Sequence, residues 1–125
     1  MANNFLEQFL NDMKENVPGF IALSVTEIDT GVSLLSHTEK ADFDPEIAST
    51  FNLEVAKAKM AAISALGLKS KIQDILITLD SQIHIIDMAE NGDYFIYLAV
   101  DSSKANLGMT RALLKKYKKD VAKNL

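Results

Sequence analysis

The sequence predicts an α+β fold: a two-layer arrangement of a five-stranded, mainly antiparallel sheet with flanking helices, in the order α-β-β-α-β-β-β-α. Three observations predict it. Three stretches carry helical apolar spacing, at the two ends of the chain and in its middle. Five shorter runs between them are rich in strand-forming residues, among them the apolar run Tyr94-Phe95-Ile96-Tyr97-Leu98-Ala99-Val100. Turn residues separate consecutive runs by only a few positions, which makes those neighbours antiparallel hairpins.

The first helix is expected over 4–15, where Phe5, Leu6, Phe9, Leu10 and Met13 form one apolar stripe. Asn3 or Asn4 can cap it, and Val17-Pro18-Gly19 stops it, because a residue before proline leaves the helical region. A strand over 20–28 follows, with Phe20, Ala22 and Ser24 on one side and Ile21, Leu23 and Val25 on the other. Asp29-Thr30-Gly31 turns the chain into a second strand over 32–37. The middle helix has the strongest start signal: Asp44 as N-cap, Pro45 in the first helical position, and Glu46 at the positive end of the dipole. It should run to Leu66 and end on a left-handed Gly67. Strands over 72–79, 82–88 and 94–100 are separated by Asp80-Ser81 and Glu90-Asn91-Gly92. Asp101-Ser102-Ser103 then caps a closing helix over 104–123.

A chain of 125 residues fits one domain, 1–125, with a core that needs no staples. No apolar run is long enough to span a bilayer, and the first residues lack the pattern of a signal peptide. With no cysteine present, the expected location is cytoplasmic, without disulfides or thiolate metal sites. A net charge of −4 argues against a dedicated nucleic-acid binder.

The middle helix is apolar on two sides. At about 100° per residue, Ile47, Phe51, Val55, Ala58, Ala62 and Leu66 share one arc, which is expected to pack on the sheet. Leu53, Ala56, Met60 and Ile63 form a second arc. A surface helix needs only one apolar stripe, so the second calls for a partner. A loop or the last helix of the same chain could cover it; an isologous homodimer is the sharper reading.

Reactive chemistry is not expected. Asp29-Thr30-Gly31 matches the short signature of aspartic proteases, but those enzymes are nearly all strand, and the triplet reads here as a hairpin turn. His37 and His84 show no ligand spacing, so no metal is expected, and the five scattered glycines build no phosphate loop. No cofactor is expected. The lysines of the last helix are read as complementing its negative end rather than as marking a nucleic-acid or membrane surface.

Over about 5–121 the chain resembles the Roadblock/dynein light chain domain family, in its bacterial stand-alone form. The likeness rests on the element order, on Val17-Pro18-Gly19-Phe20-Ile21-Ala22-Leu23, on the Asp29-Thr30-Gly31 hairpin, and on Ala105-Asn106-Leu107-Gly108 with Arg111. It implies the profilin-like fold of that family and pairing through the middle helix and the neighbouring strand edge, 72–79, which would add Ile75 and Ile77 to the interface. It also implies a non-enzymatic homodimeric scaffold or regulator of a small Ras-like GTPase. Asn52 and Lys59, expected to be exposed beside the dimer arc, are the candidates for partner contact. No residue carries over as a catalytic arginine, because Arg111 lies in the closing helix. The alternative function is a small-ligand sensor, for which His84 and Tyr97 could supply polar groups inside a pocket.

Overall fold

The computed structural model describes residues 2–124. Its elements are α1 (Ala2–Asn16), β1 (Phe20–Glu27), β2 (Ser33–Thr38), α2 (Pro45–Ala65), β3 (Asp74–Thr78), β4 (Gln82–Met88), β5 (Tyr94–Asp101) and α3 (Leu107–Lys123). The five strands form one sheet in the order β2-β1-β5-β4-β3, and every pairing is antiparallel. The hairpins follow from tight turns: Leu79 N–H donates to the Gln82 carbonyl at 2.8 Å across Asp80-Ser81. Closing the sheet takes one long-range step, which pairs the first strand with the last, Leu23 opposite Leu98 and Val25 opposite Ile96.

Strand β5 lies at the centre and is buried on both faces from Tyr94 to Val100. Its alternate residues feed two cores. Tyr94, Ile96, Leu98 and Val100 meet Leu6, Phe9 and Met13 of α1 and Leu114 and Val121 of α3. Phe95, Tyr97 and Ala99 meet Ala56 of α2 and Ile86 and Met88 of β4. The sheet is apolar on both faces, with α1 and α3 packed on one and α2 on part of the other, so helices and sheet make three layers.

Three local expectations are corrected. Pairing between β1 and β5 shifts register between Phe20 and Ala22, so Phe20 packs with Leu23 and Val25, and Ile21 joins Ala22 on the α2 face. A single bulged residue reverses the alternation that the sequence suggests there. The first helix begins at Ala2, so residues 3 and 4 sit inside its first turn instead of before it. The closing helix is capped by Asn106, whose side chain accepts from Met109 N–H at 3.1 Å; Asp101 instead holds its own turn through Ser103 N–H at 2.9 Å. At Gly19, with φ +76°, an added Cβ would stand 2.9 Å from the Asp101 carbonyl, so glycine is required where this turn meets the end of β5.

Candidate interaction surface

Helix α2 starts as its sequence predicts. The Asp44 carboxylate accepts from Glu46 N–H at 2.9 Å and Ile47 N–H at 3.3 Å, and Gly67 at φ +70° follows the last turn. The face that α2 turns inward differs from the expectation. Pro45, Ser49, Asn52 and Ala56 are its buried residues, whereas Ile47 is 58% and Phe51 63% exposed, and Val55 and Leu66 are also exposed. The two arcs exchange places. Ala56 is fully buried and Asn52 is 8% exposed, so neither is free to meet a partner. Leu53 and Ile63 are half-buried, while Met60 and Lys59 are exposed.

The reason lies in the sheet beneath. The row that β1 presents to α2 is Ala22, Ser24 and Thr26, small and partly polar. Small side chains on α2 let the helix approach that row closely, and the buried Ser24 and Ser49 hydroxyls meet at 2.6 Å. Turning Phe51 and Ile47 to that row would displace the Ser24–Ser49 contact. The signal that could have found this was the match between the polar row of β1 and Ser49 with Asn52, which counting apolar residues ignores.

On the opposite flank Leu53 reaches the β1–β2 turn, its Cδ2 3.3 Å from the position of a Cβ on Gly31. By helical geometry Ile47, Phe51 and Val55 turn away from the buried row of Ser49, Asn52 and Ala56. The helix packs on β1 and β2 and reaches β5 and β4 through Ala56, and Ile75 and Ile77 of β3 are half-buried on the same sheet face. Strand β3 is also one of the two sheet edges, β2 being the other, with one row of its backbone donors and acceptors outside the sheet's pairing. The exposed arc of α2 and the open β3 edge are both accessible to a partner.

A polar cluster adjoins β3. His84 Nε2 donates to Gln82 Oε1 at 2.8 Å, and its Nδ1 accepts from the Tyr97 hydroxyl at 3.1 Å, a pairing that suits the neutral ring. Phe43 stacks on Tyr97 and meets His84 edge-on, with centroid distances of 6.5 and 5.9 Å. Burial lowers the His84 pKa, and it raises that of Tyr97 against a smaller opposing effect of the Asn52 amide. The Asn52 amide nitrogen nevertheless completes no hydrogen bond among the described residues. His84 and Tyr97 do come together, but they line neither of two recesses found elsewhere. One, of about 340 Å³, lies between Met60, Ile63 and Leu68 and the β4–β5 turn; the other, of about 900 Å³, lies beside α3.

Several other charged positions act structurally. Arg111 holds Asp74 through two bonds of 2.8 and 3.2 Å, and Lys118 holds the buried Asp87 at 3.0 Å. These pairs tie α3 to β3 and β4. His37 pairs with Glu39 at 3.0 Å. Asp29 is exposed in a hairpin turn whose shape is set by Thr30, donating to Glu27 at 2.7 Å, and by Gly31 at φ +73°. Among the described residues, no three His, Asp or Glu side chains are grouped to hold a metal, and no helix is long and apolar enough to cross a membrane.

No family sequence model matches the chain, and no curated protein matches it. Solved structures do. The gliding protein MglB from Thermus thermophilus superposes with a TM-score of 0.82 at 16% identity, covering 99% of this chain and 90% of that one. A Roadblock/LC7 domain from Streptomyces avermitilis gives 0.78 at 13% identity, covering 92% of each chain. A structure described as MglB with tetrameric arrangement gives 0.74 at 19% identity, covering 98% of this chain and 86% of that one. With the same five-stranded antiparallel sheet and the same helix order, the chain has the Roadblock/LC7 fold.

Proposed function

We propose that the chain is a non-enzymatic homodimeric scaffold or regulator of a small Ras-like GTPase, acting in the cytoplasm. The observation that carries the reading is the exposed arc of Ile47, Phe51 and Val55 in a molecule that also leaves its β3 edge open. An isolated helix face with side chains this large is costly to leave in water, at about 25 cal/mol per Å² of apolar surface. A second copy related by a two-fold axis covers it with the same arc and continues the sheet through β3 against β3. In that arrangement Ile75 and Ile77 lie near the seam, and Lys59 stands at its rim. Ala56 and Asn52 support the helix from below. The tetrameric arrangement of an MglB structure of the same fold favours an assembling chain.

The GTPase follows from the Roadblock resemblance. Two paired α2 helices form one broad rigid face that a single partner can cross, with an apolar centre and polar rims. The non-enzymatic part is favoured because the hydrogen-bonded serine hydroxyls of Ser24 and Ser49 are sealed between α2 and β1, out of reach of a substrate.

Sedimentation velocity tests the dimer, with Phe51→Glu as the variant that should run as a folded monomer. Titration of a Ras-like GTPase in its GDP and GTP-analogue forms tests the regulator, with tighter binding expected in one state. Equal or absent binding in both states would remove the GTPase from the reading, and a monomeric wild type would remove the dimer.

A further inference from the structure

The geometry points to a second binding surface, on the α3 side of the molecule: a basic groove that takes an extended acidic segment of a protein partner. The groove is the recess of about 900 Å³ between α3 and residues 70–73, the extension of β3 that stays beside β4 through a bond from Met88 N–H to the Gln73 carbonyl at 2.9 Å. Ile72, Met88 and Ala112 give it apolar patches, and Lys71, Lys115, Lys116, Lys118 and Lys119 line its walls against one carboxylate, Glu90. The chain as a whole carries net charge −4, so this concentration of positive charge runs against its composition.

The basic side chains around this part of α3 divide into two groups. Arg111 and Lys118 are spent on Asp74 and Asp87. The other four have no carboxylate partner among the described residues. Lys71 donates only to the Glu90 carbonyl, at 3.2 Å, and Lys116 only overlies the Tyr117 ring, at 5.5 Å. The helix dipole does not account for them. It acts within the last turn, and with α3 ending at Lys123, Lys115 and Lys116 lie in mid-helix. Lys115 and Lys119 are also four residues apart on one face, a like-charge spacing that weakens an isolated helix. An anionic occupant removes that repulsion.

Shape and lining select the occupant. The recess is far larger than one small anion needs, and its apolar patches suit side chains interleaved with carboxylates. Stacking of nucleobases needs free aromatic rings, and Tyr117, the aromatic nearest the lysines, is turned to Phe9 at 5.6 Å and bonded to Asp12 at 3.2 Å. A flat bilayer surface does not enter a recess whose lysines stand on opposite walls, α3 on one side and residues 70–73 on the other. The groove involves no residue of α2, and its residues 70–73 run directly into the β3 edge of the proposed seam.

The test is fluorescence anisotropy with a labelled peptide that alternates glutamate with leucine and serine. Parallel arms use phosphatidylserine vesicles and single-stranded DNA. The wild type is expected to bind the peptide with a Kd of about micromolar order and more weakly as salt rises. Lys115→Glu with Lys119→Glu should weaken binding by about tenfold or more, and Lys57→Glu, on exposed α2, should leave it unchanged. Circular dichroism establishes that both variants fold. Equal binding by wild type and the double variant, equal loss with Lys57→Glu, or binding of vesicles or DNA in preference to the peptide would overturn the assignment.

Discussion

The Ser24 and Ser49 hydroxyls meet at 2.6 Å between β1 and α2, both buried, and their contact fixes which side of the helix faces the sheet. Rotating α2 to bury Phe51 would break this bond and leave two hydroxyls unsatisfied. Ser49→Ala alone should therefore cost about 1–3 kcal/mol in urea denaturation, because Ser24 is left without its partner. Ser24→Ala combined with Ser49→Ala should recover part of that loss. Additive losses in the double variant would show that the hydroxyls do not depend on one another.

The exchange of arcs on α2 gives opposite outcomes for two glutamates. Ile47→Glu places a charge on an exposed position and should leave helicity and monomer stability within about 0.5 kcal/mol of wild type, while abolishing the dimer. Ala56→Glu forces a charge against Tyr97 and Ile86 in the core and should unfold the chain. Light scattering and circular dichroism separate the two. A folded, dimeric Ala56→Glu protein would contradict the observed orientation.

His84 gives the fold a pH dependence. The free imidazole takes up a proton near 6.5, and in the folded chain burial holds the pKa below that value. Unfolded chains thus bind more protons than folded ones once the pH drops beneath 6.5, so stability is full above that pH and falls as the medium is acidified through the folded value. Protonation would also deprive the Tyr97 hydroxyl of its acceptor on Nδ1. The urea midpoint of the wild type should fall between about pH 7 and about pH 5 more steeply than that of His84→Gln. Parallel profiles would assign the dependence to other groups.

Lys118 is the counter-ion of a carboxylate that water scarcely reaches, its side chain 12% exposed and that of Asp87 5%. Lys118→Met should lower stability by about 3–5 kcal/mol, because Asp87 would be left buried and unpaired. Replacing both partners with apolar residues of similar size should cost less than that. A loss below about 1 kcal/mol in Lys118→Met would mean that the pair is effectively solvated.

Gly19 is the position least tolerant of a methyl group. Gly19→Ala meets both an unfavourable φ of +76° and the Asp101 carbonyl, and should lower stability by more than about 1 kcal/mol; Gly92→Ala, with open space around it, should lose less. Thermal melts of the two variants compare them directly. Equal losses would mean that backbone conformation alone governs both sites.

The sequence by itself determined the elements. Local chemistry carries that information: Asp44, Pro45 and Gly67 bound α2, and Asp80-Ser81 folds β3 onto β4 whatever surrounds them. That α2 is apolar on two sides could also be read, and one sheet face can cover only one of them. Which side it satisfies could not be read. Periodicity reports that two arcs exist but carries no sign, and the larger arc, with Phe51 and Ile47, lies outside. That choice was made by residues distant in sequence, Ala22, Ser24 and Thr26 of β1, whose small polar row admits Ser49, Asn52 and Ala56. The pairing of β1 with β5 and the bulge near Ile21 are of the same kind. They depend on which surfaces meet once the chain has closed, and only the tertiary structure decides that.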